Sequence, residues 1–138
     1  MGGRLKMLKF IVCEDDAEEL NIAVQTITKS MMKYADIEYK VEKFQRYNEK
    51  LEKIINEPFD TKIYLLDVEL PVVGGLEIAS RIREQDDKSY IVFITAHPEC
   101  KNDIFFSRLE AIDYVEKSAI YPQRVEDTIM FCLFTKLL

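Results

Sequence analysis

Ile63-Tyr64-Leu65-Leu66-Asp67-Val68-Glu69-Leu70-Pro71-Val72-Val73-Gly74-Gly75 is an unbroken apolar run that stops at an acid and gives way to a proline and two glycines. The run Ile63 to Leu66 suits a strand buried on both faces, the kind a parallel sheet makes. Asp67 then falls at the carboxyl end of that strand, where open α/β sheets place their chemistry. Pro71, Gly74 and Gly75 turn the chain back toward a following helix. On this stretch alone Asp67 is equally well read as a helix cap or a turn former, and the rest of the chain has to decide.

Working outward, Leu8 to Cys13 reads as a buried first strand ending in Glu14-Asp15-Asp16. A helix follows, with Leu20, Ala23, Val24, Ile27, Met31 and Tyr34 on one face. Asp16 and Glu19 fit a capping box at its start, which makes Asp16 a cap rather than a metal ligand. Ile37 to Phe44 alternates apolar and charged residues, as an edge strand with one wet face does. Gln45 to Asn56 reads as a second helix. Beyond the central strand, Leu76, Ile78, Ala79 and Ile82 mark a third helix, and Tyr90 to Ile94 a fourth strand ending at Thr95-Ala96-His97. Pro98 suits the first turn of a fourth helix running to about Arg108. Ala111 to Val115 is a short fifth strand ending at Glu116-Lys117-Ser118. Pro122 opens a last helix carrying Val125, Ile129, Met130, Leu133, Phe134 and Leu137. Strand and helix alternate five times, which predicts one open parallel sheet with helices on both faces and right-handed crossovers.

The 138 residues are enough for one domain with a full core, and no linker or repeat divides them. A net charge of -6 argues against this segment itself gripping nucleic acid or an anionic membrane. Cys13, Cys100 and Cys132 are too few and too scattered for a disulfide framework or a zinc site, and the odd count favours a reducing, cytoplasmic setting. No apolar stretch approaches a membrane span, and the first residues lack the apolar core of a signal peptide.

In this reading the strand tips carry Glu14 and Asp15, Asp67, Thr95 and Lys117, and parallel strands bring all of them to one rim. Clustered carboxylates repel: at roughly 4 Å and an effective dielectric of about 20, each like-charge pair costs about 4 kcal/mol. A hard divalent cation removes that cost. The available ligands are oxygens, with no Cys or His placed among them, so Mg²⁺ is the natural occupant. A carboxylate can itself accept a phosphoryl group. Asp67 would attack phosphorus, while the cation and the Lys117 ammonium neutralise charge on the phosphoryl oxygens. The Thr95 hydroxyl could donate to one of those oxygens, and small Ala96 leaves room for the group.

With these residues in view, the chain resembles a response-regulator receiver domain, the phospho-acceptor half of two-component signalling, from about Leu8 to Lys136. The motifs are Phe10-Ile11-Val12-Cys13-Glu14-Asp15-Asp16, Leu65-Leu66-Asp67-Val68-Glu69-Leu70-Pro71 with Gly75, Phe93-Ile94-Thr95-Ala96, and Asp113-Tyr114-Val115-Glu116-Lys117. None is strong alone; in this order, each at a strand end, they are highly specific. The resemblance implies a flavodoxin-like doubly wound fold of strand order 2-1-3-4-5, with Asp67 as the phosphorylated residue. It implies Asp15 as a direct Mg²⁺ ligand assisted by Glu14, with the backbone carbonyl of Glu69 as a further ligand. It makes Thr95 and Tyr114 a switch pair and Lys117 the partner of the phosphoryl group. Glu69 and His97 occupy positions that tune the lifetime of the phosphorylated state. The phosphodonor would be a sensor histidine kinase.

Cys13-Glu14-Asp15-Asp16 and Thr95-Ala96-His97 further resemble the AgrA/LytR group, in which a receiver precedes a LytTR-type DNA-binding domain. The expectation is therefore a single receiver domain over residues 1–138, core about 7–137, with DNA contacted only through an output domain absent from this chain. The sequence departs from the family at Ser118, where proline is usual, and in a longer segment between Asp15 and Asp67.

Other readings remain. A degenerate receiver would act only as a protein-interaction module, which a complete acidic pocket argues against. A haloacid-dehalogenase-type phosphatase would want a second Asp at the position of Glu69, and usually a cap domain. A flavin-binding protein would want a Ser/Thr/Gly-rich loop after the first strand. The chain is thus expected to be a regulator rather than a classical enzyme. His97, the one histidine, reads as a loop residue, and Cys13 as a small core residue. The run Ile129 to Phe134 leaves the last helix without a consistent wet face. It is either a core helix plus a domain junction, or part of a homodimer surface shared with the fourth helix and fifth strand, to which Ile104, Phe105 and Phe106 would contribute.

Overall fold

Among the described residues nine elements succeed one another: β1 (Leu8–Cys13), α1 (Ala17–Met31), β2 (Tyr39–Phe44), α2 (Glu49–Asn56), β3 (Thr61–Asp67), α3 (Gly75–Gln85), β4 (Tyr90–Thr95), β5 (Asp113–Glu116) and α4 (Tyr121–Leu137). The computed structural model describes residues 7–97, 108–118 and 121–137. The helix expected over 98–108, with Ile104, Phe105 and Phe106, therefore lies almost wholly outside the described residues. The last helix expected from the sequence, opened by Pro122, is α4 here.

The five strands form one parallel sheet in the order β2-β1-β3-β4-β5, as expected. Side chains alternate along each strand, so each interior strand feeds two cores. Phe10, Val12, Ile63, Leu65, Val92 and Ile94 face α1 and α4, where they meet Ala23, Ile27, Val125, Ile129 and Leu133. Ile11, Cys13, Tyr64, Leu66, Ile91 and Phe93 face α2 and α3, where they meet Leu51, Ile54, Ile55, Ile78 and Ile82. Full burial of each large aliphatic side chain contributes roughly 1.5–3 kcal/mol, so the two sandwiched faces hold the sheet rigid. All seven residues of β3 are buried.

Local chemistry moves one helix boundary from where periodicity puts it and holds another in place. Helix α2 begins at Glu49 rather than Gln45, because Asn48 caps it by accepting from the Leu51 amide at 2.9 Å. Helix α1 begins where expected, with Asp16 Oδ1 accepting from the Glu19 amide at 2.9 Å. The reciprocal half of the capping box is not made by Glu19; the Asp16 amide donates to Glu14 Oε2 at 3.0 Å. Helix α4 does have two faces: Val125, Ile129, Cys132 and Leu133 are buried, while Met130, Phe131 and Phe134 are exposed. Lys62, a charge inside the buried β3, donates to the Ile54 and Ile55 carbonyls at 2.8 and 3.3 Å. It thereby satisfies carbonyls at the end of α2 that would otherwise lack partners.

Candidate functional site

Because every strand runs the same way, the ends of β1, β3, β4 and β5 lie along one edge of the sheet. Single bonds carry the ladder just past the strands and fix the residues beyond them. The Glu14 amide donates to the Phe44 carbonyl at 2.9 Å, the Val68 amide to Ile94 at 3.0 Å, and the Lys117 amide to Thr95 at 2.7 Å. The first residues beyond three strands are thus held by backbone, and the acids and the lysine of this edge converge.

Glu14 is fully buried, Asp67 is 3% exposed, and Asp15 stands in solvent at the rim. One carboxylate oxygen from each can be chosen so that all three lie within 4.8 Å of one another. The Lys117 ammonium sits between two of them, 3.1 Å from Asp67 Oδ2 and in direct contact with Glu14 Oε1. Asp67 Oδ1 accepts from the Glu69 amide at 2.9 Å, which folds the loop after β3 back over the acid. Gln45 Nε2 donates to the Asp15 carbonyl at 2.9 Å and pins that residue's backbone.

Burial drives the Glu14 carboxyl up to about 7; the Lys117 ammonium and the Asp16 amide pull it back, and the nearby Asp67 charge pushes it further up. Burial works to lower the Lys117 pKa, but Glu14 and Asp67 outweigh it and hold the ammonium above its ordinary value. With all three acids ionised, one ammonium leaves the cluster with an excess of negative charge. An all-oxygen donor set carrying that excess suits a hard divalent cation such as Mg²⁺, held by Asp15, Asp67 and Glu14.

Around this cluster, Thr95 is fully buried. Its hydroxyl donates to Glu69 Oε1 at 3.4 Å and accepts from the His97 amide at 2.9 Å. Tyr114 is half-buried, with its hydroxyl 3.5 Å from the His97 carbonyl. His97 Nε2 lies 3.6 Å from Glu69 Oε2, both side chains about half exposed. The structure therefore brings Glu14, Asp15, Asp67 and Lys117 into one group. It links Thr95, Glu69, His97 and Tyr114 in a second group on its flank. Lys117 reaches Asp67 even though Ser118 stands where the family usually has proline.

Three contributors are not evident from the sequence. Periodicity places Gln45 in a helix, and nothing in its surroundings marks it as a partner of Asp15. The double engagement of Lys117 depends on Glu14 being buried, which a Glu-Asp-Asp run does not disclose. Gly75 suggests a bend, yet its role is close approach: a Cβ there would collide with the Asp67 carbonyl oxygen and sit 2.9 Å from the Asp67 carbonyl carbon. Only glycine lets α3 begin against the acid.

Known proteins resemble this chain in sequence and in fold. Residues 10–129 match the response regulator receiver domain family. Accessory gene regulator protein A of Staphylococcus epidermidis is 31% identical over 132 residues, which is 93% of this chain and 53% of that protein. Sensory transduction protein LytR of Staphylococcus saprophyticus is 32% identical over 78 residues, 56% of this chain and 29% of that one. The chain thus spans about half the length of its Accessory gene regulator relatives. Among solved structures, a CheY-like receiver domain protein from Methanospirillum hungatei superposes with a TM-score of 0.74 at 24% identity, covering 95% of both chains. TrrA from Thermotoga maritima, in complex with Mg²⁺-BeF, does so at 0.65 and 24%, covering 90% of this chain and 98% of that one. With the family match running from β1 into α4, and the sheet order and acidic strand tips agreeing with it, the chain belongs to the receiver domains of two-component response regulators.

Proposed function

We propose that this receiver domain takes a phosphoryl group from a histidine kinase onto Asp67 in a Mg²⁺-dependent step. The observation that carries the reading is the Lys117 ammonium 3.1 Å from Asp67 Oδ2, inside a cluster of three acids. An Asp67 oxygen attacks phosphorus, the P–O bond of an acyl phosphate forms, and the P–N bond to the donor imidazole breaks, the imidazole leaving with a proton. Lys117 pairs with a phosphoryl oxygen as its contact with Asp67 Oδ2 is given up. Asp15, Asp67 and the Glu69 carbonyl, assisted by Glu14, would hold Mg²⁺, which would supply positive charge to the phosphoryl oxygens. The TrrA complex with Mg²⁺-BeF supports a cation at such a site.

Thr95 then exchanges Glu69 for a phosphoryl oxygen, and Tyr114 turns inward behind it. The group shifts a pre-existing equilibrium between two surfaces rather than creating a new one. His97 and Glu69, 3.6 Å apart beside Thr95, tune how fast water removes the phosphoryl group. The output is transcriptional, through a further domain like the remainder of the Accessory gene regulator relatives, and the setting is the cytoplasm. Among the described residues no helix is long and apolar enough to cross a membrane. The outward Met130, Phe131 and Phe134 of α4 suit a homodimer surface.

Intact-mass measurement after incubation with Mg²⁺ and acetyl phosphate tests the reading. One added phosphoryl group on the wild type and none on Asp67→Asn is the expected result. An unmodified wild type, or equal addition to the variant, would overturn it.

A further inference from the structure

We infer that Arg83, in the last turn of α3, is a positioning residue for the strand that carries Tyr114 and delivers Lys117; the inference rests on the phosphoryl-acceptor reading of Asp67. The Arg83 side chain is mostly buried and reaches out of its own helix. Its Nε donates to the Leu109 carbonyl at 2.7 Å and its Nη2 to the Glu110 carbonyl at 3.2 Å. Its Nη1 lies 3.8 Å from Asp86 Oδ1, so an acid on the same side of the sheet steadies the guanidinium. A planar fork spanning two successive carbonyls is a task for arginine, not for the single ammonium of lysine.

The two carbonyls belong to a turn that needs holding. Glu110 has φ 53, in the left-handed region, without being glycine. An ordinary side chain is disfavoured there, so the turn persists only where its surroundings fix it. Leu109 is buried in the core under α3 and supplies one anchor. Arg83 supplies the other, at the carbonyls on either side of the left-handed residue's own amide.

The turn leads into β5, four residues long, which among the described residues is at the edge of the sheet and paired only with β4. Its entry is tied by the Ile112 amide to Ile91 at 2.9 Å and its exit by the Lys117 amide to Thr95 at 2.7 Å. A strand this short has little pairing of its own to resist a displacement at its start. Tyr114 and Lys117 lie on it and just past it, so the turn held by Arg83 sets where both stand relative to Asp67.

The test compares Arg83→Met, Arg83→Lys, Glu110→Gly and the Arg83→Met/Glu110→Gly double variant in the whole chain, each first checked for a wild-type circular dichroism spectrum. The first readout is the rate of phosphorylation by acetyl phosphate with Mg²⁺ over a range of donor concentrations. The second is amide hydrogen exchange of Val115 and Lys117 against that of β1 and β3. Arg83→Met is expected to lower the saturating rate on the order of tenfold, since small misplacements of a charged partner have such effects. It should also speed exchange at Val115 and Lys117 but not in β1 and β3. Arg83→Lys falls between. The double variant recovers most of the rate, because glycine takes the left-handed conformation without strain and the turn then depends less on an outside anchor. A wild-type rate with wild-type exchange in Arg83→Met overturns the inference, and so does a loss that Glu110→Gly leaves unrepaired. A wild type that takes no phosphoryl group sinks the acceptor reading instead, and amide exchange then still decides whether Arg83 holds β5.

Discussion

Replacing Gly75 by alanine sets two effects of known size against each other. Gly75 is the first residue of α3, and alanine is favoured over glycine inside a helix by about 1 kcal/mol. Its φ is not in the left-handed region, so no conformational freedom special to glycine is in use. On propensity alone Gly75→Ala would stabilise the protein. The added Cβ, however, would overlap the Asp67 carbonyl oxygen and lie 2.9 Å from the Asp67 carbonyl carbon and 3.0 Å from Val68 Cα. All three are backbone atoms at the end of a fully buried strand, and none can swing aside as a side chain could. The Gly75 amide also donates to the Val68 carbonyl at 3.1 Å, which ties the start of α3 to the same peptide units. Overpacking of this kind costs roughly 1–3 kcal/mol and more against rigid surroundings.

Against backbone that cannot yield, the overlap falls at the upper end of that range, so the clash wins and the net loss is about 1–2 kcal/mol in urea unfolding. Moving the Asp67 carbonyl also disturbs the acid itself, so phosphorylation by acetyl phosphate should slow by roughly tenfold or more. Gly74→Ala is the control, because its Cβ would meet only the Val68 carbonyl oxygen at an ordinary 3.4 Å. That variant should match wild type in rate. If Gly75→Ala proves as stable as wild type and is phosphorylated as fast, close approach is not why glycine stands there.

The remaining predictions concern stability, read by urea unfolding. Glu14 has a folded pKa of about 7 against an ordinary 4.5, so in Mg²⁺-free buffer its contribution is fully present below pH 4.5 and lost as pH rises through 7. About 3 kcal/mol should disappear between pH 5 and 8, and Glu14→Gln should flatten that slope; an unchanged slope would assign it to another group. Val72 is 95% exposed at φ 68, in a tight turn closed by the Val73 amide on the Pro71 carbonyl at 2.8 Å. Val72→Gly should stabilise by about 1 kcal/mol, and a loss would mean the turn is unstrained. The buried Tyr64 hydroxyl has no hydrogen-bond partner among the described residues, so Tyr64→Phe should be neutral or stabilising by about 1 kcal/mol. A clear loss there would point to a bridging water.

The sheet is legible in the sequence because its signal is local. Runs such as Phe10 to Cys13 and Ile63 to Leu66 are apolar on both faces, and only a sheet covered on both sides accommodates them. Parallel order then places Glu14, Asp67, Thr95 and Lys117 on one edge, whatever the loops between them do. The boundaries that move are those that one side chain decides. Nothing in the periodicity of Gln45 to Asn56 tells that Asn48 accepts from the Leu51 amide, so periodicity alone makes α2 too long.

Glu14 marks where the sequence stops being informative. Its neighbours Asp15 and Asp16 are chemically near-equivalent, yet the three carboxylates end in different surroundings, even though those of Glu14 and Asp15 join one group. Asp15 faces solvent, Asp16 caps α1, and Glu14 turns inward to meet Lys117 from the far end of the chain. A motif states which acids are near the rim; only packing states which is dehydrated. That difference has chemical weight. A dehydrated Glu14 with a pKa of about 7 holds its charge loosely until a cation arrives, whereas Asp15 at the rim can meet the cation first. Binding should therefore release a proton from Glu14, and calorimetric Mg²⁺ titration at neutral pH in two buffers of different ionisation enthalpy measures it. Heats that agree between the buffers would mean that Glu14 is already ionised, and that burial alone does not set its state.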